Sequence, residues 1–298
     1  MTKKVNDSLN VVLGLVQMSM TADPEQNLEK AISGIRNAAA RGAQIVCLPE
    51  LFRSPYFCTQ EVCEREYAEP LPGEVAPCLA ALAKELEITL VAGSVYEQAA
   101  DSKYNTALVF GPSGTLLGSY RKTHIPHDPA FYEQNYFTSG GQNYQVFTTE
   151  VDGQPVKLAV LICYDQWFPE AARSVALLGA DIVFYPTAIA TLDGVVESEG
   201  SWQNAWTTVQ KGHAVANALV VAAVNRVGKE GSSNFWGGSF VSDAFGRTLA
   251  KGSNREEIIT VEVDLAHNQE VREGWRFFKE RRPDTYGLLT DTKLGKDA

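Results

Sequence analysis

Paired cysteines, an excess of basic charge, long apolar runs and flexible linkers are what this sequence lacks, and each absence removes a class of function. Five cysteines are scattered over 298 residues. Only Cys58 and Cys63 stand close together, and no second pair completes a zinc site. An odd, unpatterned set reads as reduced thiols in a cytoplasmic protein, not as a disulfide framework. No run is long and apolar enough to span a bilayer, and residues 1–7 lack the apolar stretch of a signal peptide. The 26 Lys and Arg are outnumbered by 36 Asp and Glu, leaving a net charge of −10. That balance argues against nucleic acid as a partner and makes a cationic or neutral small molecule the easier substrate. No Pro-, Ser- or Gly-rich linker divides the chain. It therefore reads as a single domain, 1–298, with a core of about 8–265 and a C-terminal extension over 266–298, and not as two tandem domains.

What is present is the material of a folded α/β protein, 45% hydrophobic and 21% charged. Short unbroken apolar runs at 10–17, 44–50, 89–96, 157–162, 180–186 and 218–225 predict strands buried on both faces. Helices are predicted between them. One is capped by Asp23 with Pro24 at its first position and stops near Gly42; others span Val75 to Leu86, the segment from Pro169, and Trp202 to Asn217. Each half then runs into a hairpin, 105–122 and 237–251, and a last strand follows at 257–263. The stretch after Ala266 has little periodicity. Two pseudo-duplicated α/β halves follow from this pattern, their sheets packed together and covered outside by helices.

Cys163 stands where the strand 157–162 is expected to hand over to the helix that runs from Pro169, a bend whose nearby helix N–H groups would favour the thiolate. Taken alone it reads as one more buried thiol. Glu50 and Lys122 reverse that, because both also close predicted strands, where open α/β sheets place their ligand crevices.

Three segments carry these residues: Leu48-Pro-Glu50-Leu-Phe52, Tyr120-Arg-Lys122-Thr-His-Ile-Pro126 and Ile162-Cys163-Tyr-Asp-Gln-Trp-Phe-Pro-Glu170. In sequence and order they resemble the signature segments of the nitrilase superfamily of carbon–nitrogen hydrolases, over nearly the whole chain. The resemblance implies a four-layer αββα sandwich and homo-oligomers, dimers or larger, to which the C-terminal extension would contribute contacts. It implies Cys163 as nucleophile, Glu50 as general base, Lys122 beside the developing oxyanion, and Glu133 as a second glutamate positioning lysine and substrate. The backbone N–H of Tyr164 would complete the oxyanion site. Covalent catalysis suits a poor electrophile such as an amide or urea, since it divides one hard step into two. The set calls for no metal and no cofactor. His124, His127 and His213 are read as shaping residues, and Trp202, Trp206, Trp236 and Trp275 as core or interface.

Within the superfamily the chain looks most like the branch that hydrolyses N-carbamoylputrescine, through 163–173, 184–189, 212–217 and 281–286. The implied products are putrescine, carbon dioxide and ammonia. Such a substrate carries a distant ammonium, which Asp193, Glu197 or Glu199 could pair with, and Trp167 is a further binding candidate. A β-ureidopropionase-like enzyme, an ω-amidase or a nitrilase are the alternatives inside the superfamily. A substrate ending in a carboxylate would need a cation such as Arg173, Arg226, Arg281 or Arg282. A non-catalytic nitrilase-fold assembly protein is the alternative outside enzymes, and the intact Glu50, Lys122 and Cys163 speak against it.

Overall fold

The computed structural model describes residues 9–129, 131–141 and 144–295. Residues 1–7, read above for a signal peptide, and the last three residues of the expected extension lie outside the described residues. The first half contains β1 (Asn10–Gln17), α1 (Pro24–Ala40), β2 (Ile45–Cys47), β3 (Glu69–Pro70), α2 (Val75–Leu86), β4 (Thr89–Ala99), β5 (Ser102–Phe110) and β6 (Leu116–Arg121). The second contains β7 (Phe147–Val151), β8 (Gln154–Val160), α3 (Pro169–Leu177), β9 (Ile182–Thr187), β10 (Ala190–Leu192), α4 (Trp202–Asn217) and β11 (Val220–Asn225). It continues with β12 (Val227–Glu230), β13 (Ser233–Trp236), β14 (Phe240–Ser242), β15 (Thr248–Lys251), β16 (Glu257–Asp264) and α5 (Ala266–Trp275).

The two large sheets share one plan. In the first, β1, β2 and β4 run parallel, the β5–β6 hairpin extends one side, β16 lies antiparallel on the other, and β3 adds to β4. In the second, β8, β9 and β11 run parallel, the β14–β15 hairpin extends one side, and β7 lies antiparallel on the other. The predicted duplication is thus present in six strands of each sheet, and β3 has no counterpart in the second. Leu13, Leu15, Ile45 and Val91 of one sheet join Leu158, Val160, Ile182 and Phe184 of the other in a single buried core. Each such side chain contributes about 1.5–3 kcal/mol by leaving water. Ile35, Ala38, Leu79 and Leu82 seat α1 and α2 on the outer face of the first sheet. Ala171, Val175 and Ala214 seat α3 and α4 on the second. The result is the αββα sandwich expected. Among the described residues no helix is long and apolar enough to cross a membrane.

Four local expectations need correction. The strand expected at 44–50 ends at Cys47: Leu48 N–H makes the last bond to Val91 O (3.0 Å), and Pro49 has no N–H to continue the ladder. The segment between the strand expected at 180–186 and the helix from Trp202, where no element is expected, contains β10, which pairs with β13 in a small sheet completed by β12. The strand β7 alternates buried and exposed residues over only five positions, too few to stand out beside the loop before it. The segment after Ala266 opens with a helix, α5, held mainly by polar bonds: Asn268 Nδ2 donates to Asp181 O (2.8 Å) and Arg272 to Ala218 O (3.0 Å) and Ala180 O (2.7 Å). A helix fastened this way has little apolar periodicity to read.

Candidate active site

Both sheets deliver their chemistry at one edge. The parallel strands β2, β8, β9 and β11 end there, followed by Glu50, Cys163, Ala188 and Arg226, and Lys122 follows β6 at the same edge. Two glycines make the approach possible. Gly93 lies at a bulge in β4 with φ +31°, and a Cβ there would stand 2.1 Å from Pro49 O. Beside it, Ser94 Oγ accepts the N–H of Leu51 (2.9 Å), fixing the turn that carries Glu50. At Gly140 a Cβ would stand 2.2 Å from Arg121 O; its own N–H donates to Lys122 O (2.7 Å).

Lys122 is fully buried between two buried carboxylates. Its Nζ donates to Glu50 Oε1 (2.9 Å) and Glu133 Oε2 (2.7 Å). Burial opposes its charge, but Glu133 and Glu50 outweigh that and hold the ammonium well above its ordinary pKa. Burial likewise raises the Glu133 carboxyl, with Lys122 opposing. Glu133 Oε1 accepts the Tyr56 hydroxyl (2.7 Å), and Asn105 Nδ2 donates to Glu50 Oε1 (2.8 Å). The other oxygen, Glu50 Oε2, is buried without a hydrogen-bond partner among the described residues. An acceptor left open has a lone pair free to take a proton.

Cys163 is 8% exposed and faces a cavity of about 350 Å³. It opens a 3-10 turn, Cys163–Trp167, and only after Phe168 does α3 begin. The helix starts at Pro169 as the sequence signals place it, with this turn between it and the strand, and the expected preference for thiolate is not met. Burial pushes the Cys163 pKa well up, Glu50 adds to this, and Lys122 and the Ala188 N–H only partly oppose it. The resting group is a neutral thiol that needs a base. Tyr164 occupies the second position of the turn, where helical geometry leaves an N–H without an internal acceptor. The turn is anchored from behind by buried Asp165. Its Oδ2 accepts Ile162 N–H (2.9 Å) and the Tyr120 hydroxyl (2.8 Å), and its Oδ1 accepts His124 N–H (3.0 Å) and faces His124 Nδ1 (2.7 Å). His124 also stacks on Phe168 (3.6 Å between centroids) and so shapes the loop.

The cavity wall combines aromatics with acids. Trp167 lines it. Trp202, read from sequence as core or interface, also lines it, and its Nε1–H donates to Glu199. Trp206 is core. Of the three loop acids only Glu199 reaches the cavity. Asp193 is instead committed to Lys229 (2.7 Å) and Asn234 (2.7 Å) outside it, and Glu197 accepts the Trp202 backbone N–H (3.2 Å). Asp128, not singled out from sequence, lines the mouth too. Its place in an aromatic loop gave no signal. Arg226 is unavailable to a substrate, being fully buried against backbone carbonyls, and Arg173 and Arg281 lie in a separate hollow beside α3 and α4. Among the described residues no group of three or more His, Cys, Asp or Glu side chains is arranged to hold a metal ion.

The carbon–nitrogen hydrolase family profile matches residues 12–273. The chain belongs to the carbon–nitrogen hydrolase family, the nitrilase superfamily. A carbon–nitrogen hydrolase structure from Helicobacter pylori G27 superposes with a TM-score of 0.86 at 37% identity, covering 94% of this chain and 98% of that one. N-carbamoylputrescine amidase from Solanum lycopersicum is 38% identical, with 94% of each chain covered. Citrullinase from Francisella tularensis is 34% identical over 93% of this chain and 97% of its own, and an omega-amidase from Homo sapiens 35% identical over 93% and 96%. The chain is a nitrilase-superfamily amidase, and its relatives at this distance include an N-carbamoylputrescine amidase, a citrullinase and an omega-amidase.

Proposed function

We propose that this carbon–nitrogen hydrolase cleaves an N-carbamoyl amine, with N-carbamoylputrescine as the leading candidate, releasing putrescine, carbon dioxide and ammonia. One observation carries the choice among the relatives' substrates. Every charged side chain lining the cavity among the described residues is a carboxylate: Asp128, Glu133 and Glu199. Hydrogen bonds, led by one to its own backbone and then from Trp202 and Ser198, hold the Glu199 carboxyl below its ordinary pKa, so it stays ionised. A distant ammonium is attracted by such a wall, and a terminal carboxylate is repelled.

In this reading Glu50 Oε2 takes the thiol proton as Cys163 Sγ bonds to the urea carbon. The tetrahedral oxygen is held by Tyr164 N–H and the Lys122 ammonium, and removing one such donor costs about 3 kcal/mol in the barrier. Glu50 returns the proton to departing ammonia, then draws one from the water that attacks the thioester. The carbamic acid so formed loses carbon dioxide and frees the amine. A mutant of the Nesterenkonia amidase, 27% identical to this chain, takes up acrylamide at its active-site cysteine, which supports a nucleophilic Cys163 here.

The test is ammonia release from N-carbamoylputrescine, an uncharged N-carbamoyl alkylamine, a carboxylate-bearing ω-amide and a nitrile. The cationic substrate should be favoured, and Glu199→Gln should raise KM for it alone by about two- to fivefold, the loss of one screened ion pair. Turnover confined to the nitrile or the carboxylate-bearing amide would overturn the assignment. We also infer a homo-oligomer, from the exposed Trp275, Leu288 and Leu289 of the C-terminal segment.

A further inference from the structure

A buried cation outside the Glu50–Lys122–Cys163 group is bonded to the segment that carries Glu50. Arg226, the residue after β11, belongs to the second half of the chain, yet its guanidinium grips the first. Its Nη2 donates to Glu50 O (2.7 Å) and Leu51 O (3.0 Å), and its Nη1 to Ser54 O (3.2 Å). Leu51 has φ +48°, a conformation that needs outside support in a non-glycine residue. The same Nη1 meets both oxygens of Glu230 on β12 (2.9 and 3.0 Å). Glu230 Oε2 in turn accepts the Tyr56 N–H (2.6 Å), and the Tyr56 hydroxyl donates to Glu133. One ion pair therefore braces the backbone that carries Glu50 and, through Tyr56, the hydroxyl that bonds the Glu133 carboxylate. A fully buried guanidinium satisfied largely by main-chain carbonyls is a device for fixing a loop, since its planar fork holds several acceptors in set directions.

We propose that Arg226, with Glu230, is a positioning residue that aims Glu50 Oε2 at the Cys163 thiol. This rests on the reading of Glu50 as the base that takes the thiol proton. Lysine cannot reproduce the fork, so Arg226→Lys lets the Glu50 turn shift, and a displacement of about 1 Å at a reacting group costs about 100-fold in rate.

The experiment follows alkylation of Cys163 by iodoacetamide, which needs no knowledge of the substrate, by intact mass and peptide mapping. The variants are Glu50→Gln, Arg226→Lys, Glu230→Gln and the double variant Glu50→Gln/Arg226→Lys, each checked for folding by circular dichroism. Arg226→Lys and Glu230→Gln should slow alkylation by at least tenfold at neutral pH. In the Glu50→Gln background Arg226→Lys should slow it no further, because there is no base left to misplace. If Glu50→Gln alone leaves the rate unchanged, the base reading fails. If Glu50→Gln slows it but Arg226→Lys and Glu230→Gln in folded protein do not, or if the Arg226→Lys effect persists undiminished in the Glu50→Gln background, the positioning role is wrong. Should Arg226→Lys fail to fold, Glu230→Gln decides by the same criterion.

Discussion

Cys163 has φ +43°, a backbone conformation costing a non-glycine residue about 1–2 kcal/mol, and Leu51 beside Glu50 has φ +48°. The strain sits at the two turns that bring thiol and carboxylate to one edge, and backbone N–H bonds accepted by Asp165 and Ser94, with one donated by Arg226, hold it in place. The thiol itself is kept protonated, by burial first and Glu50 second. The sign of that shift gives a prediction. A raised pKa favours the neutral form, so thiolate accumulates only at higher pH than for an ordinary cysteine. With Glu50→Gln removing base assistance, Cys163 alkylation should still be rising with pH above about 8.5, where a free thiol is half ionised. A rate already level below that pH would show a depressed pKa, as a helix N-terminus would produce. Residues whose role depends on type were legible in the sequence: Glu50, Lys122, Glu133 and Cys163 do come together. Asp128, Ser94, Asp165 and Arg226 were not, because aspartate, serine and arginine are common and only the fold reveals what they touch.

At the level of elements, boundaries set by local chemistry were readable. Asp23 accepts Glu25 N–H (3.0 Å) with Pro24 at the first turn, and α1, α2 and α4 begin where the sequence signals place them. Elements defined by distant partners were not readable: β12 and β13 are four residues each, and β10 is three. The turn at Cys163 belongs to the same group, since the 3-10 segment depends on Asp165 bonding back to Ile162 N–H. The bulge at Gly93 offers a test on this scale. Gly93→Ala would force a Cβ against Pro49 O and should lower stability by about 2 kcal/mol or more, with reduced turnover in the folded fraction. Gly212→Ala, exposed on α4 with nothing within 4 Å of the added carbon, should instead raise stability by about 0.5–1 kcal/mol. Thermal unfolding of the two variants checks both; an unchanged Tm for Gly93→Ala would remove the steric argument for how the Glu50 turn is seated.

For the whole molecule, the duplicated sheet plan explains why the site draws on both halves. Glu50 and Lys122 come from one sheet and Cys163 from the other, so the two must pack for the site to exist. The periodicity of buried strands and the paired hairpins made this sandwich legible, whereas the helix after Ala266 was hidden by its polar attachment. The C-terminal segment leaves Leu288 and Leu289 about two-thirds or more exposed (72% and 66%), with Trp275 at 58%. Light scattering after size exclusion should give at least twice the monomer mass, and Leu288→Asp/Leu289→Asp should shift the protein towards monomer. A monomer from the outset would refute the assembly.

The central claim is that the Cys163 sulfur bonds to the substrate carbonyl carbon during turnover. Acid-quenching the enzyme in the steady state with N-carbamoylputrescine, followed by intact mass and peptide mapping, tests it most directly. A covalent acyl adduct confined to the peptide containing Cys163, absent from Cys163→Ala together with all ammonia release, is the predicted result; ammonia release that survives in folded Cys163→Ala would contradict it.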